Sequence, residues 1–203
     1  MPSKRAAIFA AIVLAITLAL GIAAWRVGLA PRGLAGSGVA LIGGPFELTN
    51  QDGKRVTDQD FRGRYMLVFF GYTYCPDVCP TTLQLMSQAL DKLGSQGAGI
   101  QPVFISIDPE RDTPETLKAY VANFSPRLIG LTGSAGDIAK VARAYRVAYS
   151  KVENGGPKAY LMDHSSIIYM MGPDGAFVKH FTYTTDVDGL AKDIAAAASA
   201  SSS

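Results

Sequence analysis

Cys75 and Cys79 are the only two cysteines in a chain of 203 residues, and Pro76, Asp77 and Val78 separate them. A thiol does its chemistry as a thiolate, which attacks disulfides and binds soft metals. Whether thiolates form depends on where the pair sits. In front of it Met66-Leu67-Val68-Phe69-Phe70 is an apolar, aromatic-rich run that reads as a buried strand. Behind it Pro80 suits the first position of a helix, and Leu83, Met86, Leu90 and Leu93 recur at helical spacing until Gly94. Both sulfurs are therefore expected on a strand-to-helix turn beside a helix N-terminus, where partial positive charge favours thiolate over thiol. An inert pair would sit inside an apolar run rather than flank a proline and an aspartate.

Two chemistries fit such a turn. In thiol–disulfide exchange one thiolate attacks a partner's disulfide and its neighbour resolves the mixed intermediate. In soft-metal binding both thiolates hold one ion and a third ligand completes the site. Three intervening residues let both sulfurs converge on a metal, although they do not prevent a disulfide. The segment Met162-Asp163-His164-Ser165 stands where a thioredoxin places a cis-proline close to its cysteines, and a histidine there favours a metal. The stretch from Ala148 to Asp163, with Gly155-Gly156-Pro157, reads as a long irregular loop that delivers His164; loops beyond about 12–15 residues are usually functional or disordered. Two thiolates and one neutral imidazole suit three-coordinate Cu(I) better than a closed tetrahedral zinc site. Asp77 and Asp163 adjoin these candidate ligands, either as solvated turn carboxylates or as groups that orient a ligand or meet a partner. His180, within a strand, reads as structural, and Met66, Met86, Met170 and Met171 fall where packing explains them.

The elements that must position these residues alternate strand and helix. Phe46–Leu48 and Lys54–Val56 flank a turn at Asn50–Gly53 and predict an edge hairpin. Gln101–Ile107 and Leu128–Leu131 read as further strands. Thr113-Pro114 and Ser134 open helices, Ser165–Met171 and Ala176–Phe181 form a hairpin around Gly172–Gly175, and a last helix begins near Asp186. This is an α/β domain with a mixed sheet flanked by helices, in the thioredoxin-like layout, spanning 45–196, with a disordered tail at 197–203. Residues 1–26 read as an N-terminal transmembrane anchor: Ala6 to Trp25 is uncharged and twenty residues long, Lys4 and Arg5 precede it and Arg26 follows. Residues 27–44, rich in Gly, Ala and Pro, form a flexible linker. Of 19 basic residues four lie before residue 41, which leaves 15 against 17 acidic ones beyond, so no basic patch recruits nucleic acid.

The run Gly71-Tyr72-Thr73-Tyr74-Cys75-Pro76-Asp77-Val78-Cys79-Pro80-Thr81-Thr82 closely resembles the motif of the Sco/SenC family. Val103–Pro114 (VFISIDPERDTP) and Tyr160–Ser165 (YLMDHS) agree with it, and the resemblance runs from about Phe46 to Leu190. It implies a membrane-tethered, thioredoxin-fold copper protein that helps assemble the binuclear copper centre of cytochrome c oxidase. Cys75, Cys79 and His164 are then similar to the family's ligands for copper, as Cu(I) or Cu(II), and Asp77 to its acidic motif residue. Such a protein sits in an inner membrane as a single-pass chain with its domain in the periplasm. Its partners are the oxidase's copper-bearing subunit and a second periplasmic copper chaperone or thiol–disulfide protein. Family members are credited both with copper delivery and with reducing their target's cysteines. Two functions therefore stay open: a metallochaperone that need not be an enzyme, and a membrane-tethered thiol–disulfide oxidoreductase with Cys75 as the attacking thiol. A peroxiredoxin-type peroxidase fits worse, because Tyr72 stands where that class has a threonine.

The anchor predicts that the protein stays in the membrane fraction through alkaline carbonate washing, with its domain open to protease from the exported side alone. A soluble protein beginning near residue 25 would show instead a cleaved signal peptide, for which Gly21–Ala24 supplies small residues.

Overall fold

The structure, a computed structural model, describes residues 13–18, 42–153, 160–182 and 185–200. The chain divides into two compact units, Met1–Ala40 and Leu41–Ser203. In the first, residues 13–18 are helical, and the rest of the expected anchor lies outside the described residues. Among the described residues no helix is long and apolar enough to cross a membrane.

The second unit opens with the expected hairpin, β1 (Glu47–Asn50) and β2 (Arg55–Thr57). Asn50 closes its turn by accepting from the N–H groups of Asp52 and Lys54 at 3.0 and 2.9 Å. After a 3-10 turn at Asp58–Phe61 come β3 (Tyr65–Gly71), α1 (Val78–Lys92), the single-turn α2 (Ser95–Ala98) and β4 (Ile100–Ser106). Next are α3 (Pro114–Val121), β5 (Ile129–Thr132) and α4 (Ala135–Ala144). Thr113 and Ser134 cap α3 and α4 as their side chains suggest, accepting from the N–H groups of Thr116 and Asp137. The chain ends with β6 (Tyr149–Glu153), β7 (Tyr160–His164), β8 (Ile167–Met171), β9 (Phe177–Thr182) and α5 (Val187–Ala200).

Seven strands form one mixed sheet in the order β2-β1-β5-β4-β3-β8-β9. β3, β4 and β5 run parallel, and β1 and β8 join them antiparallel. Every residue of β4 and all of β3 after Tyr65 are buried, which is why both read as continuous apolar runs rather than alternating ones. β3 lies inside the sheet, so the turn that leaves its carboxyl end emerges over the crevice where parallel α/β sheets place their sites.

Three expectations are corrected. Helix α1 begins at Val78, two residues before Pro80, and so takes Cys79 into its first turn. A proline is tolerated there because first-turn N–H groups have no intrahelical acceptor. The stretch from Ala148 to Asp163 is not an irregular loop but carries a two-stranded ribbon of β6 and β7, with 154–159 outside the described residues. β6 shows no alternation because, after Tyr149, its residues Ser150 to Glu153 are all exposed. Helix α5 continues to Ala200, past the expected start of a tail, and its Ala198 carbonyl accepts from the Tyr65 hydroxyl at 2.9 Å.

Gly71 ends β3 because nothing larger fits. A Cβ built there lies 2.7 Å from the Cys79 sulfur and 2.9 Å from Cε2 of Phe104. Gly71→Ala should therefore destabilise the protein by about 1–3 kcal/mol, the usual cost of overpacking. Gly99→Ala, whose Cβ meets nothing within 4 Å, should stay within about 0.5 kcal/mol. Urea midpoints at unchanged m check both.

Candidate metal centre

Three elements bring the candidate ligands together. Cys75 lies on the turn that leaves β3, where its N–H donates to the Tyr72 carbonyl at 3.3 Å. Cys79 lies in the first turn of α1, fully buried, and its N–H donates to the Cys75 sulfur at 3.4 Å. His164 ends β7, with Nε2 3.4 Å from the Cys79 sulfur. Its Nδ1 stands 3.2 Å from the Ser165 carbonyl. A carbonyl only accepts, so Nδ1 carries the proton and Nε2 presents its lone pair to the sulfurs. One donor atom from each of Cys75, Cys79 and His164 lies within 4.8 Å of the others. Metal–sulfur bonds of about 2.3 Å let donors some 4.6 Å apart share an ion. The residues present thus fit a small soft cation with little movement.

A buried carboxylate fixes the cysteine turn. Asp112, fully buried in the loop after β4, accepts from the Thr73 N–H at 3.0 Å, the Thr73 hydroxyl at 2.6 Å and the Ser106 hydroxyl at 2.5 Å. Burial pushes its pKa up, and these three bonds oppose the shift. Phe69 and Tyr72 meet the His164 ring edge-on, at centroid distances of 6.1 and 6.0 Å.

Known proteins place this arrangement. The protein-family model of SCO1/SenC matches residues 35–199. The chain belongs to the SCO1/SenC family. It is 46% identical to the mitochondrial SCO1 homolog of Homo sapiens over 160 residues, which are 78% of this chain and 53% of that protein. The chain thus spans about half the length of this curated relative. The copper-bound structure of ScoI from Bradyrhizobium japonicum is 48% identical, with a TM-score of 0.70 over 75% of this chain and 97% of that one. BsSco, a member of the Sco family of cytochrome c oxidase assembly proteins in which a disulfide switch was identified, is 26% identical. Its structure matches 79% of this chain and 95% of its own with a TM-score of 0.61. The mixed sheet with flanking helices is thus the thioredoxin-like fold of SCO1/SenC structures.

In this SCO1/SenC site the two acidic neighbours lie at the rim. Asp77 is exposed and accepts from the Thr81 hydroxyl at 3.4 Å, while its backbone N–H faces the Cys75 sulfur. Asp163 is exposed and lines, with His164, Ser165, Tyr149 and Ser150, a cleft of 480 Å³. His180 lies on β9, stacked on Phe177 at 6.3 Å, outside the three-residue cluster. Thr73, Asp112 and Gly71 escaped notice as supports of the site. The available signal was a charged run, Asp108 to Asp112, following a buried and largely apolar strand.

The two sulfurs divide one negative charge. A hydrogen bond from Cys79, then bonds from the N–H groups of Cys79 and Asp77, pull Cys75 down to about 4 against the effect of burial. The neighbouring Cys75 and burial push Cys79 up. At neutral pH the site therefore holds a nucleophilic, half-buried thiolate on Cys75 and a proton on Cys79, which a bound cation would expel. Between the folded value of about 4 and the ordinary 9.0 the unfolded chain binds the more protons at Cys75, so this group's stabilisation rises with pH. It is lost as pH falls through about 4. Above 9.0 the retained proton on Cys79 reverses the slope, because there the folded state binds the more protons. Denaturant titrations of the reduced, metal-free protein should show that rise, and Cys75→Ser should flatten it.

Proposed function

We propose that this SCO1/SenC protein is a membrane-anchored copper metallochaperone that delivers copper to the binuclear copper centre of cytochrome c oxidase during assembly. The observation that carries the reading is the convergence of two thiol sulfurs and a lone-pair-bearing imidazole nitrogen on one small volume. That donor set suits a soft monovalent cation, and the imidazole also supports the divalent state. Cys75, Cys79 and His164 hold the copper, with Asp77 and Asp163 at the rim facing the partner. The copper-bound ScoI relative and the family's place in oxidase assembly support the cargo and the recipient. The uncharged run Ala6–Trp25 supports a single-pass inner-membrane anchor with the domain in the periplasm.

Transfer needs no enzyme. Thiolates of the oxidase's copper-bearing subunit displace these ligands one at a time. His164 leaves first, because it stands on a ribbon that is not hydrogen-bonded into the main sheet.

A second reading rests on the free, ionised Cys75. Its thiolate attacks one sulfur of a disulfide in the oxidase subunit, forming a mixed disulfide and releasing the other as thiolate. Cys79 then gives up its proton and attacks the Cys75 sulfur, releasing the second partner thiolate. The partner is reduced by two electrons and the Cys75–Cys79 pair oxidised.

His164 separates the two. Titration of the reduced protein should reach one copper per chain, with intense thiolate-to-Cu(II) absorption. His164→Ala should abolish tight Cu(II) binding and weaken Cu(I) binding, yet leave the Cys75–Cys79 disulfide forming at a similar potential. Normal oxidase assembly by His164→Ala, alongside failure of Cys75→Ala and Cys79→Ala, would establish the reductase instead.

A further inference from the structure

The ribbon of β6 and β7 carries His164 but shares no strand pairing with the seven-stranded sheet. At one end the Ser165 N–H donates to the Ala148 carbonyl at 3.1 Å, just before the chain enters β8. What holds the other end is a partly buried cation. Arg111 follows β4 on the same loop as Asp112, and its Nη1 donates to the Tyr160 carbonyl at 3.0 Å. Its guanidinium carbon lies 3.6 Å from the centroid of the Tyr160 ring. Its Nε donates at 2.5 Å to Oδ2 of Asp108, whose other oxygen accepts from the Tyr160 hydroxyl at 2.7 Å. Asp108 is 1% exposed, so both bonds sit in a medium where charge-assisted pairs are strong and an orphaned partner is costly.

The same guanidinium also reaches the cysteine turn. It lies 4.8 Å from the ring centroid of Tyr74, the residue before Cys75, and 5.8 Å from that of Tyr72. Tyr72 is buried; its hydroxyl oxygen faces the Met162 N–H on β7, and its ring meets His164 edge-on. Arg111 therefore touches both parts of the site: Tyr72 and Tyr74 from the strand end and turn that carry Cys75, and Tyr160 from the strand that carries His164. An ion pair between this loop and the ribbon, Lys151 with Glu110 at 2.7 Å, is exposed on both sides, and such pairs contribute little.

We propose that Arg111 is a positioning residue which clamps the histidine strand to the cysteine turn, so that removing its guanidinium releases the imidazole arm of the site while leaving both sulfurs in place. The inference rests on the metal-site reading of His164. It predicts a particular selectivity: the divalent state, which depends most on the imidazole, suffers more than the monovalent state held by the thiolates.

The test uses the reduced full-length chain in detergent with Cu(II) and Cu(I) as probes. Arg111→Gln should weaken Cu(II) binding roughly 10–100-fold, the usual effect of losing a group that orients a metal ligand. Cu(I) should lose less, and the nitrogen hyperfine coupling of the Cu(II) electron-spin resonance should fade. Arg111→Lys keeps a cation opposite Asp108 and so protects the fold, but lacks the planar stack and the bond to the Tyr160 carbonyl. It should recover only part of the loss. With His164→Ala as background, Arg111→Gln should cost nothing further; an equal loss with and without His164 would overturn the proposal, as would unchanged Cu(II) affinity in Arg111→Gln. Amide hydrogen exchange gives a metal-free readout. Exchange at Tyr160–Ser165 should accelerate about tenfold relative to β3 in either Arg111 variant, the effect of one charge-assisted hydrogen bond, and unchanged exchange would refute the clamp. Failure of the unsubstituted protein to bind copper would refute the metal-site reading separately, leaving the exchange result to decide the clamp.

Discussion

Asp112 has no exposed surface, and its two oxygens are occupied by donors from two different places: the backbone and hydroxyl of Thr73 on the cysteine turn, and the hydroxyl of Ser106 at the end of β4. A carboxylate in that position is destabilised by burial and retained by its donors, so geometry and charge state depend on each other. The rest of the centre follows from this tie. Thr73 is two residues before Cys75, and fixing it sets where the turn departs from β3. Cys79 then falls directly over Gly71, close enough that a single methyl group at residue 71 would collide with its sulfur. With both sulfurs set by the turn after β3 and the first turn of α1, the third donor comes from outside the main sheet.

That division would suit a centre that holds a cation and then releases it. The sulfur pair carries one negative charge at neutral pH and one proton, so the resting centre is less costly to bury than two thiolates would be. An arriving cation would expel that proton, and its departure would let the proton return. The imidazole is mounted differently. Its strand belongs to a separate ribbon, tied to the domain at Ser165, through Tyr72 and through Arg111. The turn after β3 and helix α1 therefore supply the two sulfurs, and a separately mounted ribbon supplies the imidazole.

What could be read from the chain divides along physical lines. The cysteine turn was legible because two rare residues interrupt the pattern between an apolar run and a helical period. The central strands were legible because burial on both faces leaves no polar residues in β3 after Tyr65 or in most of β4. The ribbon was not. Tyr160 and Met162 face inward and Leu161 and Asp163 outward, but this alternation spans only five residues, and β6 has no apolar face to match it. Pro80 misled in a different way, since proline is accepted throughout the first turn and so marks a helix start only to within a turn. Asp108, Arg111 and Asp112 were hidden because a charged run looks like solvated loop. Only the parallel pairing of β3 and β4, which sets Gly71 beside Ser106, brings that loop under the cysteine turn and buries Asp108 and Asp112.

The two chemistries open to this pair use the same sulfurs, and the distinction between them lies in a group that neither sulfur needs for disulfide exchange. Attack on a disulfide requires a thiolate, a resolving thiol and access, and an imidazole in either tautomer would serve as a neighbour. Here the ring is restrained on both sides. Its Nδ1 proton is committed to the Ser165 carbonyl, Phe69 and Tyr72 pack edge-on against it, and Nε2 is left as a lone pair aimed at the sulfurs. Fixing the tautomer with a backbone carbonyl is the arrangement found behind metal-bound histidines, where it sets the direction of the donor and raises its basicity. A redox pair would derive no comparable benefit from that restraint. The orientation of the His164 ring, rather than the spacing of the cysteines, is the structural feature that favours metal binding over thiol exchange.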